Sequence, residues 1–292
     1  MTQFAQTGPG ASPDAIQFHY DISNDFYAAW LDSTMTYSAA MFDSGVAGLE
    51  QAQIRKLDYH LESAGAPGVT RILDVGCGWG SLLKRSVDWD VRHAVGLTLS
   101  RAQQTYIEGH SFPNVEVRLE SWRDHSSTTP YDAIVCIGAF EHFVRLELST
   151  PDKIRAYRDF FKFCRANLKP CGKMSLQTIT WGALHAEQVH PFITNSIFPE
   201  SNLPYPWEIF QAADRVMEVV QCRNDRLDYA KTCRLWLNRL TENHDAAVRA
   251  AGEEKVDQYQ RFLRMSAAGF ETGALHLYRL VLQCPGTQEK RA

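Results

Sequence analysis

The run Ile72-Leu73-Asp74-Val75 passes without a break into Gly76-Cys77-Gly78-Trp79-Gly80, and a helical pattern opens near Ser81. An apolar strand that turns this tightly into a helix needs glycine, which tolerates positive φ and lets a ligand approach the backbone where a Cβ would otherwise stand. The rest of the chain agrees with such a unit. Runs rich in β-formers at 71–75, 92–97, 115–119, 132–137 and 173–179 are separated by helix-length segments, the signature of βαβ units in a mainly parallel sheet. Two more runs, 216–222 and 275–284, follow longer insertions. The last suits an antiparallel strand added beside parallel ones. The expected fold is α/β: a Rossmann-like, seven-stranded, mostly parallel sheet with helices on both faces.

Three stretches fall outside this alternation. Residues 16–68 read as N-terminal helices, with Phe18, Tyr20, Phe26, Tyr27 and Trp30 set close together. Residues 181–214 carry Pro191, Pro199, Pro204 and Pro206, and 229–270 has helical periodicity. Ligands of open α/β sheets bind outside the carboxyl ends of the strands. Helical inserts after the fifth and sixth strands can therefore form a lid over an acceptor pocket, above a donor-binding core at 69–180. Residues 1–15, rich in Gly, Ser, Pro, Gln and Thr, read as a disordered lead without the basic and apolar regions of a signal peptide. The chain reads as a single domain.

Bulk properties narrow the function classes. A net charge of −4 over 292 residues argues against a nucleic-acid partner, which calls for a basic face. No stretch reaches the roughly 20 apolar residues of a membrane helix. The seven cysteines are scattered, with no CxxC pair and no histidine at zinc spacing, so a reduced, cytoplasmic protein without a metal is expected. Oligomeric state is not legible.

The glycine loop lacks the GxGxxG register of a pyrophosphate site, which favours a compact sulfonium nucleoside, S-adenosylmethionine, over a dinucleotide. Asp74, at the strand end, is placed to organise the loop or to meet the donor amino group. The second strand ends at Val95-Gly96-Leu97-Thr98-Leu99-Ser100 without the acid that many nucleotide sites use on the ribose. Thr98 and Gln103 are the polar groups available there, beside Leu99. After the third strand, in Ser121-Trp122-Arg123-Asp124, the aromatic Trp122 can pack against adenine and a neighbouring polar group can reach its exocyclic amine, with Arg123 counted among the donor-site residues.

The fourth strand closes on Ile137-Gly138-Ala139-Phe140-Glu141-His142-Phe143. With His19-Tyr20-Asp21-Ile22-Ser23-Asn24-Asp25-Phe26-Tyr27, Met35-Thr36-Tyr37-Ser38, Glu50-Gln51-Ala52-Gln53 and Asp228-Tyr229-Ala230-Lys231-Thr232, this motif resembles the cyclopropane-fatty-acid synthase family, which includes the mycolic acid cyclopropane synthases and methyltransferases. The resemblance implies a class I methyltransferase whose donor site is lined by Tyr20, Tyr37, Ser38, Gly76, Gly78, Thr98, Gln103, Trp122 and Ile137. It also implies attack of an alkene π bond on the sulfonium methyl to leave a carbocation, with bicarbonate as the base. Tyr20, Tyr37, Phe140, Glu141 and Tyr229 could surround such a cation with aromatic faces and a carboxylate.

Two positions depart from the family's bicarbonate pattern. Ala39 stands where a Cys is expected, and Gln177 where a fifth-strand His is expected. Glutamine can donate a hydrogen bond but cannot take up a proton or offer the charge of an imidazolium. Either bicarbonate binds beside Gln177 and Tyr229, or Glu141 or His142 is the base. The expected activity is methyl transfer to an alkene carbon of a small or carrier-bound unsaturated substrate, as C-methylation or cyclopropanation. Alternatives are N-methylation of a small amine, cyclopropanation of lipid acyl chains, and a donor-binding regulator without turnover. His185 and His190 are expected to face solvent, and Arg226, Asp228 and Lys231 to form a solvated helix end.

Overall fold

The structure, a computed structural model, describes residues 8–43, 45–46 and 48–285. Its centre is a seven-stranded sheet of order β3-β2-β1-β4-β5-β7-β6. The strands are β1 (Arg71–Val75), β2 (His93–Thr98), β3 (Val115–Leu119), β4 (Tyr131–Ile137), β5 (Leu168–Trp181), β6 (Glu218–Asn224) and β7 (Leu275–Gln283). The first five pair in parallel, and β7 inserts antiparallel between β5 and β6. All seven expected strands are present. The fifth is the longest misjudgement of extent, running through Lys169-Pro170-Cys171-Gly172, residues whose composition reads as a turn.

Alternation along the strands divides the core in two, because successive side chains point to opposite faces. Leu73, Val75, Ile134, Cys136 and Leu176 pack against α6 (Thr150–Asn167) and α7 (Pro206–Ala213). Ile72, Ala94, Ala133 and Val135 meet α3 (Leu49–Ala64), α4 (Ser81–Val87) and α5 (Arg101–His110) on the other side. A third apolar cluster joins α1 (Pro13–Tyr20) and α2 (Asn24–Ala28) to α8 (Arg226–Glu242), α9 (His244–Ala251) and α10 (Glu253–Thr272). Phe26, Tyr27, Trp30, Trp236 and Tyr259 are buried within it.

The inserts differ from expectation in one respect. Within 181–214 only α7 is a regular α-helix, and it packs on α6 rather than over the strand ends. Pro199 and Pro204 lie in turn and extended backbone, whereas Pro206 is the first residue of α7, where its missing N–H costs no helix bond. At the N-terminus, residues 1–7 lie outside the described set, but the lead is ordered well before residue 15. Ser12 caps α1, whose first residue is Pro13, by accepting from the Ala15 amide at 3.2 Å. Residues 8–12 are tied down by Ala11 N–H to His142 O at 2.8 Å and Ser12 N–H to Glu200 at 2.9 Å. Among the described residues, no helix is long and apolar enough to cross a membrane.

Candidate active site

Two cavities open at the carboxyl edge of the sheet. The larger, about 610 Å³, lies over the ends of β1, β2, β3 and β4. Gly76 and Gly78 explain why the loop after β1 can border it. Both have positive φ, at 81° and 54°. A Cβ on Gly76 would stand 2.4 Å from Ala139 Cβ, whereas one on Gly78 would meet nothing within 4 Å. The first glycine thus lets two strand ends approach, and the second leaves cavity space. Trp79 ties the loop to the N-terminal helices through Nε1–H to Asn24 Oδ1 at 2.8 Å.

Every residue expected to line the donor site borders this cavity: Tyr20, Tyr37, Ser38, Asp74, Gly76, Gly78, Thr98, Leu99, Gln103, Trp122, Arg123 and Ile137. Their polar ends are less independent than their spacing suggested. Thr98 Oγ1 donates to Gln103 Oε1 at 2.7 Å, so Gln103 keeps its NH₂ as the free donor. Trp122 packs against Phe143, Phe160 and Phe163, with the Arg123 guanidinium 4.2 Å from its ring centroid. Burial pushes the Asp74 carboxyl up to about 7, and nearby Lys56 moderates the rise.

The smaller cavity, about 220 Å³, is bounded mainly by apolar side chains, among them Ile179, Trp181, Leu184, Phe198, Trp236 and Phe270. Glu141, Tyr229, His142, Gln177 and Tyr37 are all on its wall. The cavities share Tyr20, Tyr37, Ser38, Gly138 and His142, so these five residues frame the passage between them. Phe140 is not part of this frame. It stacks on Tyr157 at 4.4 Å inside the core, because the 3₁₀ turn Phe140–His142 sends successive side chains to different sides.

Glu141 is buried with Oε1 accepting from the Ile179 amide at 2.6 Å. Among the described residues its Oε2 has no partner, and neither has the Tyr37 hydroxyl. Burial pushes the Glu141 carboxyl up to about 7. His142 is held by Ser201 Oγ at 2.6 Å through Nδ1 and by Tyr20 OH at 3.3 Å through Nε2. Ser201 also contacts Pro199 O at 3.4 Å, to which only its hydroxyl can donate. The tautomer that satisfies all three groups carries its proton on Nδ1, leaving Nε2 to accept from Tyr20. Burial lowers the His142 ring to about 4, which keeps it neutral.

Gln177 lies opposite Arg279 in the β5–β7 register, and directly opposed residues share a face. Its Oε1 accepts from Arg279 Nε at 2.8 Å and contacts His60 Nε2 at 3.4 Å. Ala39, at the other departure, is fully buried, and its carbonyl accepts from Arg279 Nη2 at 3.2 Å. Asp228 and Arg226 are not simply solvated. Asp228 accepts from the Phe42 amide at 3.1 Å, and Arg226 donates to Phe270 O at 2.7 Å. His185 and His190 are exposed, with His190 at the rim of the smaller cavity.

Sequence reading missed Lys56, His60 and Arg279. Each had a signal. Lys56 and His60 fall, with Gln53, on the mainly apolar stripe of α3 that carries Leu49, Ala52, Leu57 and Leu61. Arg279 interrupts the Leu-rich alternation of β7 on the face shared with Leu277 and Val281.

With this geometry in view, comparison with known proteins is specific. A family model described as mycolic acid cyclopropane synthetase matches residues 10–280. Cyclopropane mycolic acid synthase 1 of Mycobacterium tuberculosis is 34% identical over 290 residues, spanning 92% of this chain and 96% of that protein. The crystal structure of mycolic acid cyclopropane synthase CmaA1 complexed with SAH and CTAB superposes with a TM-score of 0.84 at 32% identity, over 94% of this chain and 99% of that one. The cyclopropane synthase MmaA2 from Mycobacterium tuberculosis gives 0.83 at 31% identity, over 94% and 99%.

Proposed function

The chain belongs to the mycolic acid cyclopropane synthetase family of S-adenosylmethionine-dependent enzymes, and on that premise we propose that it transfers the donor methyl to an alkene carbon of a largely apolar, unsaturated substrate. The observation that carries this reading is the passage between the cavities. It is framed by Tyr20, Tyr37 and His142, and Glu141, whose Oε2 has no hydrogen-bond partner among the described residues, lines the smaller cavity.

The larger cavity fits S-adenosylmethionine. The space left at Gly78, the free NH₂ of Gln103, the apolar Leu99, Trp122 and Ile137 and the acidic Asp74 match a compact nucleoside with an amino-acid tail. Bound there, it supplies an electrophilic methyl on a cationic leaving group. Holding that methyl in line with a nucleophile is then the main demand on the protein. Tyr20 and Tyr37 offer π faces at the passage, and a developing cation is stabilised by such faces in a dry site. Apolar walls of Ile179, Leu184, Phe198 and Phe262 suit a hydrocarbon acceptor and disfavour a charged one.

Proton removal must follow carbocation formation. His142 is poorly placed as the base, since its Nε2 already accepts from Tyr20. Tyr37, Tyr229, Gln177 and Glu141 bring polar groups to the mainly apolar wall of the smaller cavity. A small anion such as bicarbonate fits that set, because Gln177 and the tyrosines are donors and Glu141 is readily protonated near pH 7. Held there, bicarbonate supplies a base.

The test uses methyl-¹³C S-adenosylmethionine with two acceptor panels, vesicles of monounsaturated phospholipid and short isoprenoid alkenes, and reads the product by NMR. A labelled C–CH₃ or ring CH₂ is expected. Label found only on an amine from a parallel amine panel would overturn the alkene reading. Donor binding without turnover on any panel would favour a regulator. Label entering the phospholipid alone would assign the acceptor to acyl chains, as the names of the relatives suggest.

A further inference from the structure

We propose that Arg279 is a positioning residue that fixes the Gln177 amide with its NH₂ turned to the acceptor cavity, so that a strand-to-strand pair replaces the histidine expected on β5. The inference rests on the reading above that an anion is held beside Gln177.

A glutamine amide can be placed either way round, and its two ends have opposite hydrogen-bonding character. Here the choice is dictated by the neighbours. Arg279 Nε–H is a donor without acceptor capacity, and it sits 2.8 Å from the Gln177 amide. The atom facing it must be the oxygen. His60 adds a second donor to the same oxygen at 3.4 Å, with its Nδ1 free to accept from Ser175 Oγ at 2.8 Å. With Oε1 occupied from two sides, the remaining end of the amide is its NH₂. Gln177 is 1% exposed and borders the acceptor cavity, so it is held in a dry wall as a directed donor.

Arg279 is itself held rigidly. It is fully buried, pairs with Asp225, and donates through Nη2 to Ala39 O at 3.2 Å and Ala40 O at 3.0 Å. Those carbonyls belong to the turn that follows Tyr37 and Ser38, two residues on the passage between the cavities. One guanidinium thus fixes both the Gln177 amide and the turn that stands at the departure from the family's Cys position. Its rigid fork is what lets it satisfy three directions at once, which a lysine ammonium on a flexible stem cannot reproduce. The buried ion pair with Asp225 carries a desolvation cost that structure alone does not require, and orientation of Gln177 gives it a use.

The experiment titrates ¹³C-labelled sodium bicarbonate into protein saturated with S-adenosylhomocysteine and follows binding by NMR line width. Wild type, R279K, Q177M and the double variant form a cycle, with melting temperature and S-adenosylhomocysteine affinity measured alongside. Arg279→Lys should weaken bicarbonate binding at least tenfold in the wild-type background and leave it unchanged in the Gln177→Met background. Equal loss in both backgrounds, or no loss, would overturn the inference alone. Wild-type protein that binds no bicarbonate would overturn the anion reading and this inference together. If R279K does not fold, Gln177→Glu decides. It keeps an oxygen for Arg279 but replaces the NH₂ donor by a second carboxylate oxygen, so the protein should melt no lower than wild type yet lose bicarbonate binding. Retained binding in Q177E would overturn the proposal.

Discussion

Lys56 Nζ donates to Ser38 Oγ at 2.9 Å from the buried face of α3, and both residues border the larger cavity. Burial lowers the Lys56 ammonium to about 7, and the buried Asp74 carboxyl rises to about the same value. Both groups border the larger cavity, and each favours the charged form of the other. An ammonium on the donor's amino-acid tail would favour ionised Asp74. Lys56→Met removes the cation that holds the Asp74 carboxyl down, so ionisation of Asp74 should need a higher pH. The affinity for S-adenosylhomocysteine, measured by calorimetry between pH 6 and 8.5, should rise with pH in both proteins, with the midpoint in K56M displaced upward by about one unit. Coincident curves would remove Lys56 from the donor site's electrostatics.

Glu141 gives a pH dependence of stability with a definite sign. Its folded-state value, about 7, lies above the ordinary 4.5 because burial disfavours the charged form. The folded state therefore binds the proton more tightly than the unfolded state, and this contribution to stability is complete below pH 4.5 and lost as pH rises through 7. Glu141→Gln cannot ionise and keeps an oxygen for the Ile179 amide. Its stability relative to wild type should improve by up to about 3 kcal/mol between pH 4.5 and 8, from the pKa difference alone. Denaturant melts at the two pH values test this, and a flat difference would contradict it.

The two glycines of the loop should fail in different ways. Gly76→Ala places a methyl 2.4 Å from Ala139 Cβ at positive φ, so overpacking and backbone strain should together cost about 2–4 kcal/mol of stability. Gly78→Ala meets no neighbouring atom, so only the backbone cost of about 1–2 kcal/mol applies. Its methyl enters cavity space instead, and S-adenosylhomocysteine affinity should fall at least tenfold. Melting temperature and calorimetric affinity separate the two. A G78A protein that binds as well as wild type would place the ligand elsewhere in the cavity.

Ser266 on α10 borders the smaller cavity and not the larger one. Ser266→Phe should fill acceptor space while leaving the donor site intact. Methyl transfer to a long-chain alkene should drop at least tenfold, with S-adenosylhomocysteine affinity within twofold of wild type. Equal loss of both would mean that the cavities do not divide donor from acceptor.

The residues that border the larger cavity were legible in the chain because their determinants are local. Gly76, Gly78, Thr98 and Gln103 lie at strand ends or in the first turn after them, where a short stretch of sequence fixes backbone direction. Trp122 was found the same way. Phe140 was misassigned to the cation-facing set because it and Glu141 are adjacent in one 3₁₀ turn, and the motif carries no record of which side chain turns to the core. Residues 8–15 of the expected disordered lead differ from that expectation for a related reason. Their composition is that of a loop, but Ser12 and Ala11 find long-range partners in Glu200 and His142 that no local pattern announces.

Taken alone, the chain's strand–loop–helix pattern and motif blocks determined the sheet, its seven strands, the glycine loop and the family. Hydrophobic period and glycine placement act over a few residues, and those are written in order along the chain. Only the tertiary structure decided which groups are free and which are engaged. Gln177 and Arg279 stand 102 residues apart in sequence yet face one another across β5 and β7. The insertion of β7 between β5 and β6 makes them neighbours, and the one-sided chemistry of a guanidinium then settles which end of a glutamine meets the cavity. The sequence names an amide at that position, and strand pairing gives the amide its direction.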